Sequence, residues 1–209
     1  MNRGVFRRFR VPLLCAVGAL AAMHASATTL LQMNLEQLCE RSERIFRGTV
    51  LNSRVGTVEA GGVSVPTVTY TIRVEEAFKG EFKTVKGVPV AEVRMVGKSD
   101  PVRSGDRQRF PLLRDLPTIK VGETYLLLTT APSAVGLSTT VGLGQGRFHV
   151  FGKPGSEQAV NEYRNRGLFG EPGVAARAAA SAPTLGPTPT GPVPYAVLAD
   201  RIRAIVGAR

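Results

Sequence analysis

One stretch of the chain alternates so strictly between apolar and polar side chains that it restricts the fold of the whole domain. The apolar positions are Val68, Tyr70, Ile72 and Val74, and the polar ones are Thr67, Thr69, Thr71, Arg73 and Glu75. Neighbouring side chains of a β-strand point to opposite faces of the sheet. A period of two therefore predicts a strand with one buried and one solvated face, within a larger sheet.

Five further runs are predicted strands, and a helix precedes them. The runs span residues 44–55, 84–96, 125–128, 135–141 and 147–151, and residues 56–65 are predicted to be a glycine-bearing turn region. Gly48 inside the first run indicates a bulge or a tight bend. The continuous apolar run Tyr125 to Leu128 is typical of a strand covered on both faces. Six short strands closed by helices predict a mainly β domain, either a small barrel or a sandwich.

The predicted helices lie at the two ends of the domain. Asn34 followed three residues later by Gln37 is a helix-start signature, and the first helix is expected to run to about Glu43. Leu35, Leu38 and Cys39 would face the core. If Cys15 is removed with a signal segment, Cys39 is the only cysteine of the remaining chain, so no intramolecular disulfide is expected.

The first 27 residues have the three-part pattern of a secretory signal. Four arginines and no acidic residue precede an apolar run from Val11 to Met23, and Ala25, Ser26 and Ala27 end the segment. These features are typical of a cleaved signal peptide. The run is too short for a stable helix across a bilayer, which needs about 20 residues. We expect cleavage after Ala27 and a periplasmic or secreted protein without a transmembrane segment; an N-terminal membrane anchor is the alternative.

The rest of the chain divides into three parts by composition. Residues 28–170 form the predicted β domain. Residues 171–194 contain six prolines and six alanines, and such a segment is expected to be a semi-extended linker. Residues 195–209 are predicted to form a C-terminal amphipathic helix that docks on the β domain, with free tethering to a partner or a membrane surface as the alternative. Its apolar residues recur at helical spacing: Val197, Leu198, Ile202 and Ile205.

The chain is basic, with a formal charge of +11 that becomes +7 when the four arginines of the signal segment are removed. The densest basic patch lies in the polar segment 97–120 and comprises Lys98, Arg103, Arg107 and Arg109. A basic surface favours anionic lipid headgroups, acidic glycans or nucleic acid, and an ordinary soluble surface is the alternative. Tryptophan is absent and other aromatic residues are few, so stacking of nucleic-acid bases is not expected.

No pattern of catalytic or metal-binding residues stands out. His149 is the only histidine after residue 27, and no second histidine or cysteine cluster accompanies it as zinc would require. A serine triad would have to use His149, yet no G-x-S-x-G sequence is present. Glu75 and Glu76 would point to opposite faces of a strand, so they cannot flank one glycosidic bond. We expect no enzyme, no cofactor and no metal site.

Five motifs in a fixed order resemble a group of uncharacterised secreted bacterial proteins. They are L-E-Q-L at 35–38, R-I-F-R-G-T-V at 44–50, V-E-E-A-F-K-G at 74–80, V-G-E-T-Y-L-L at 121–127 and G-Q-G-R-F at 144–148. The arrangement is similar to the oligonucleotide/oligosaccharide-binding barrel, or OB barrel, of the tissue-inhibitor-of-metalloproteinase and netrin-module kind, over about residues 33–151. The resemblance implies a closed or partly open barrel of five to six strands, with an N-terminal and a C-terminal helix, and a binding role.

The resemblance does not extend to the inhibitors' mechanism. Those proteins grip a catalytic zinc with a disulfide-fixed N-terminal cysteine, whereas cleavage after Ala27 would leave Thr28 first. The sequence therefore predicts an exported, non-enzymatic binding module for a protein or an anionic ligand. Its predicted binding residues are Lys98, Arg103, Arg107 and Arg109. The alternatives are an inhibitor or regulator of a secreted peptidase and a hydrolase that uses His149.

Overall fold

A computed structural model describes residues 31–97, 119–170 and 190–208, and it shows a mainly β protein with a helix at each end. Eight antiparallel strands form a single sheet in the order β3-β4-β2-β1-β5-β6-β7-β8. The helices are α1 (Leu35–Arg41) and α2 (Tyr195–Gly207). The strands are β1 (Arg44–Ala60), β2 (Val63–Lys79), β3 (Lys83–Val85), β4 (Val88–Val96), β5 (Thr124–Thr129), β6 (Arg147–Phe151), β7 (Gln158–Asn161) and β8 (Val193–Pro194).

The mainly β class and the two terminal helices are confirmed, whereas the closed or partly open barrel of five to six strands differs from the structure, which has one larger sheet that is not closed. The sheet has eight strands, and within the described residues its end strands β3 and β8 do not pair with each other. Part of the excess comes from Lys86 and Gly87, whose positive φ angles split the predicted run 84–96 into a hairpin. β7 and β8 add two strands that are short and carry polar residues or proline, so neither produces a period-two signal. The predicted strand 135–141 does not form, apart from a single bridge between Thr140 and Thr129.

The long hairpin of β1 and β2 reaches much further than the sequence indicated. Residues 56–60 and 63–65, predicted as a turn region, continue the β1–β2 ladder. The turn itself is Gly61 and Gly62, both with positive φ, which is the conformation that a tight two-residue hairpin turn requires. The bulge predicted at Gly48 is present, because the register shifts between Arg47 and Gly48.

Apolar clusters lie on both faces of the sheet. On one face, both helices pack over β1, β5, β6 and β7 and bury Leu38, Phe148 and Leu198 completely. On the other face, the apolar side chains of β2, Val68 to Val74, pack with those of β4 and β5. β5 contributes to both clusters, which explains its continuous apolar run.

The sheet curls around the second cluster until β4 approaches the segment that follows β5. Thr140 forms a bridge with Thr129 at the end of β5, and the amide of Ser138 donates to the carbonyl of Arg94 on β4 at 2.8 Å. The Arg44 guanidinium donates to the carbonyl of Glu92 on the same edge at 3.1 Å. We call this junction the seam. The contacts of Ser138 and Arg44 with β4 connect its two sides, where a closed sheet would have a β-ladder.

The N-terminal helix begins as its sequence predicts. The Asn34 side chain accepts from the Gln37 amide, and the Gln37 side chain accepts from the Asn34 amide. The C-terminal helix docks on the β domain through buried Tyr195, Leu198 and Ile202. Residues 193–194, which the composition assigned to the linker, pair with β7.

The predicted signal segment 1–27 and residues 171–189 of the predicted linker lie outside the described residues. In the part of the chain that the structure describes, no helix combines the length and the apolar character needed to cross a membrane.

Replacing Gly48 by alanine should destabilise the protein, because the new Cβ would collide with the backbone carbonyl of Arg73. We expect a loss of about 1–3 kcal/mol in the free energy of unfolding, as is typical of overpacking, measured by urea denaturation. Gly56→Ala is the matched control in the same strand, since its Cβ would meet only the Thr67 hydroxyl at 3.5 Å. Equal stability of the two variants would contradict the close approach at Gly48.

Because α2 docks on the β domain, substitutions on its buried and exposed faces should differ in their effect on stability. Ile202 is fully buried whereas Val197 is 48% exposed. Ile202→Ala should lower the free energy of unfolding by about 2–5 kcal/mol, and Val197→Ala should change it by less than about 0.5 kcal/mol. Similar small effects of both substitutions in urea denaturation would show that the helix is tethered rather than docked.

Candidate functional site

The four residues predicted to bind a ligand, Lys98, Arg103, Arg107 and Arg109, lie outside the described residues. The structure does describe the two ends of their segment. The Gly97 amide donates to the Pro66 carbonyl at 3.0 Å, and the Lys120 amide donates to the Tyr125 hydroxyl at 3.2 Å. The candidate site that the described residues form is a different surface.

That surface is a groove of about 1110 Å³ on the half of the sheet that the helices leave uncovered. Its floor is the polar face of β2 together with the same face of β4, so the strand with the strictest alternation supplies both a core face and a groove face. Parts of β1, the β3–β4 hairpin and residues 132–138 complete its walls. Hereafter we call this surface the basic groove.

The strand register arranges the groove side chains in three rows across the strands. Arg54, Thr69 and Arg94 are consecutive partners and form the first cationic row. Asn52, Thr71 and Glu92 form the acidic row. Arg73, Val90 and Lys83 form the second cationic row. All of these residues except Asn52 line the groove.

Among the described residues that line the groove, cations outnumber anions by six to two. The cations are Arg44, Arg54, Arg73, Lys83, Lys86 and Arg94, and the anions are Glu81 and Glu92. Arg54, Lys83 and Lys86 make no ion pair with any residue that the structure describes. Their positive charge is therefore available to a ligand.

The remaining groove arginines are positioned by existing contacts. Arg94 donates to the Thr57 carbonyl at 2.6 Å, and Arg73 lies 3.2 Å from the Glu75 carboxylate. Partial burial lowers the pKa of the Arg44 guanidinium, although the nearby Glu43 carboxylate raises it. A carbonyl contact leaves the charge of a guanidinium unpaired, so Arg44 and Arg94 still contribute to the positive potential.

Two buried polar atoms of the described groove residues lack a hydrogen-bond partner, the Thr67 hydroxyl and the Nε of Arg44. Thr67 is only 1% exposed, and its hydroxyl makes no hydrogen bond with the residues described. A buried hydroxyl without a partner is uncommon and costs free energy. Thr67 lies two residues before Thr69 on the same face of β2, next to the first cationic row.

The groove also has apolar side chains but, within the described chain, no aromatic ones. Leu51, Val85 and Val88 line it and are between 38% and 54% exposed. Exposed apolar residues surrounded by polar ones commonly mark surfaces that bind another molecule. Without aromatic rings the groove has no platform on which bases or sugar rings would stack.

Arg47 marks the border between the groove and the helix layer. Its guanidinium lies 3.4 Å from Glu75 on one side, and on the other it lies 3.0 Å from Glu157 and 4.5 Å above the Tyr195 ring. Glu76 accepts hydrogen bonds from Tyr195 and Arg203 of α2. Burial raises the pKa of Tyr195 above its ordinary value, and the hydrogen bond that Tyr195 donates to Glu76 raises it further.

The structure places His149 in a small polar cluster away from the groove. Its Nε2 lies 3.5 Å from a Glu123 oxygen, and its ring stacks on Phe151. Tyr125 donates to Glu123 at 2.5 Å, and burial together with this hydrogen bond raises the pKa of Tyr125 to about 12. Over residues 31–97, 119–170 and 190–208, no hydroxyl or thiol is hydrogen-bonded to His149, and no three side chains form a metal-binding group.

Comparison with known proteins adds no assignment. A scan against models of protein families finds no match, and a search of curated proteins finds none either.

Sequence reasoning missed the groove because its rows combine residues from different strands. Arg54, Thr69 and Arg94 are 15 and 25 positions apart, and only the strand register brings them together. One signal was available, since three of the five alternating polar positions of β2 are threonines, Thr67, Thr69 and Thr71. Threonine favours strands. Unlike the charged residues that are common on exposed strand faces, it offers a ligand an uncharged hydroxyl.

The environment of Glu75 predicts a pH dependence of stability. Partial burial raises the pKa of Glu75, but hydrogen bonds from Thr49 and Arg73 and the charge of Arg47 outweigh it and hold the pKa below its ordinary 4.5. A carboxyl group whose pKa is lower in the folded than in the unfolded state stabilises the fold at pH values above its unfolded-state pKa. This stabilisation is lost as the pH falls through the folded-state pKa.

Glu75→Gln should therefore make the free energy of unfolding fall less steeply as the pH is lowered from about 5 to about 3. Urea denaturation at a series of pH values measures this slope. Glu59→Gln, at the hairpin tip, is the control for loss of one carboxylate. An unchanged slope in Glu75→Gln would mean that the cluster around Glu75 does not form in solution.

Proposed function

We propose that this protein is an exported, non-enzymatic binding module whose basic groove takes an extended, acidic segment of a partner protein. The observation that carries the proposal is the composition of the groove, whose described lining residues include six cations and two anions on a face with exposed apolar side chains. Export is supported by the signal pattern of residues 1–27.

Electrostatics favours an acidic ligand. Three of the groove cations lack an ion-pair partner among the described residues, and two more contact only backbone carbonyls. Opposite charge on a ligand accelerates its association and selects against basic competitors. The effect weakens with salt because the groove is open to solvent.

The uncharged part of the groove favours a peptide over other anions. Leu51, Val85 and Val88 offer contacts to apolar side chains, and a polypeptide presents acidic and apolar side chains on one chain. A glycan or a nucleic acid would gain little here because the lining residues include no aromatic ring. An anionic lipid would place its charge at one end of an acyl chain, whereas the groove has cations in two separated rows.

The two alternatives from the sequence, a regulator of a secreted peptidase and a hydrolase using His149, stay predictions. A peptidase regulator would also hold an extended peptide, so it differs from the proposal in the partner rather than in the surface.

Charge reversal tests the proposal. The double variant Arg54→Glu, Lys83→Glu should bind a fluorescent peptide of repeated Glu-Glu-Val-Val about tenfold more weakly, since two exposed pairs contribute up to about 1 kcal/mol each. Each face of this peptide, when extended, alternates glutamate with valine. Fluorescence anisotropy measures the affinity, and added salt should reduce it for the unaltered protein.

The matched control is Lys153→Glu, Arg166→Glu, which changes the net charge equally but lies outside the groove. Equal weakening by both variants would mean that net charge rather than the groove binds the peptide. Binding of anionic vesicles or acidic glycans but not of the peptide would replace the proposed ligand class.

A further inference from the structure

The charges of the basic groove form a pattern along the strands as well as an excess. The first cationic row and the second cationic row are separated by the acidic row. Each cationic row contains two cations, Arg54 with Arg94 and Arg73 with Lys83. The acidic row contains the Glu92 carboxylate beside two neutral side chains, Asn52 and Thr71.

The rows have a fixed spacing because they belong to the same strands. Residues 90 and 94 of β4 are four positions apart, as are residues 69 and 73 of β2. At roughly 3.3 Å per residue, the two cationic rows are about 13 Å apart. An extended peptide has the same rise, and its alternate side chains face the same side. Side chains i, i+2 and i+4 of a peptide lying along β2 and β4 would thus face the three rows in turn.

We infer that the groove selects peptides with acidic side chains at positions i and i+4 and a side chain without negative charge at i+2. The inference rests on the proposed function and adds a register to it. A carboxylate at i or i+4 meets two cations, whereas a carboxylate at i+2 meets Glu92.

The cationic rows are suited to this task because each pairs a positioned cation with an available one. In the first row Arg94 is held by the Thr57 carbonyl, while Arg54 has no partner within the described chain. In the second row Arg73 is held by Glu75, and Lys83 has none. A positioned guanidinium loses little further conformational freedom when a carboxylate binds.

Glu92 is the specificity-determining residue of this pattern. Its own backbone carbonyl accepts from Arg44, but no cation lies within ion-pair distance of its carboxylate in the residues that the structure covers. The carboxylate therefore repels a like charge at the middle position. Discrimination by a repulsive group is a common way to obtain specificity between similar ligands.

Three peptides of equal length test the inference by fluorescence anisotropy with the purified protein. The first has glutamates at i and i+4 with threonine at i+2; the second has the same composition with glutamates at i and i+2; the third has glutamates at all three positions. We expect the first to bind about fivefold more tightly than the second, as loss of one ion pair of about 1 kcal/mol predicts. The third should bind no more tightly than the first despite its extra charge.

In Glu92→Gln the repulsion at i+2 is removed, so the third peptide should bind more tightly than the first and become the tightest ligand. Glu81→Gln is the matched control, because it removes the other groove carboxylate, which lies outside the three rows. Equal affinities of the first two peptides, or an unchanged order in Glu92→Gln, would overturn the register. In that case sensitivity to Arg54→Glu, Lys83→Glu would keep the groove as the binding surface, whereas insensitivity would reject the proposed function as well.

Discussion

The register of β2 between β1 and β4 is the constraint on which the rest of the structure depends. β2 places Val68, Tyr70, Ile72 and Val74 in the second apolar cluster. The side chains between them face the groove: Thr67, Thr69, Thr71 and Arg73. Because side chains alternate between faces, a slip of one residue would expose the first set and bury the second. The register of β2 therefore determines both which side chains are buried in the second apolar cluster and which charged side chains face the basic groove.

The local signals in the sequence were strong where one element determines its own structure. The alternation of β2, the capping pair Asn34 and Gln37, and the apolar run of β5 each predicted the element that forms. The terminal helix was predicted from Leu198 and Ile202, which recur on one face and are fully buried. Each of these signals depends only on residues that are close in sequence, within one or two turns of a helix or within a single strand.

Features that depend on pairing between distant residues were not predictable in this way. β7 and β8 are strands because β6 and β7 supply partners, not because Gln158 or Pro194 favours extended structure. Closure of the sheet is equally non-local, because it depends on whether the end strands β3 and β8 pair with each other. The basic groove is of the same kind, since Arg54 and Arg94 share a row only through β2.

An open sheet usually leaves backbone groups on which a foreign strand can be templated, and here the two end strands and the seam each limit such pairing in a different way. β3 is three residues long and carries Lys83, while β8 is two residues long and ends in Pro194, which has no amide hydrogen. At the seam, the carbonyls of Glu92 and Arg94 are already occupied by Arg44 and Ser138. The sheet can therefore stay unclosed at its end strands and at the seam while presenting few free backbone groups to a neighbouring chain at these places.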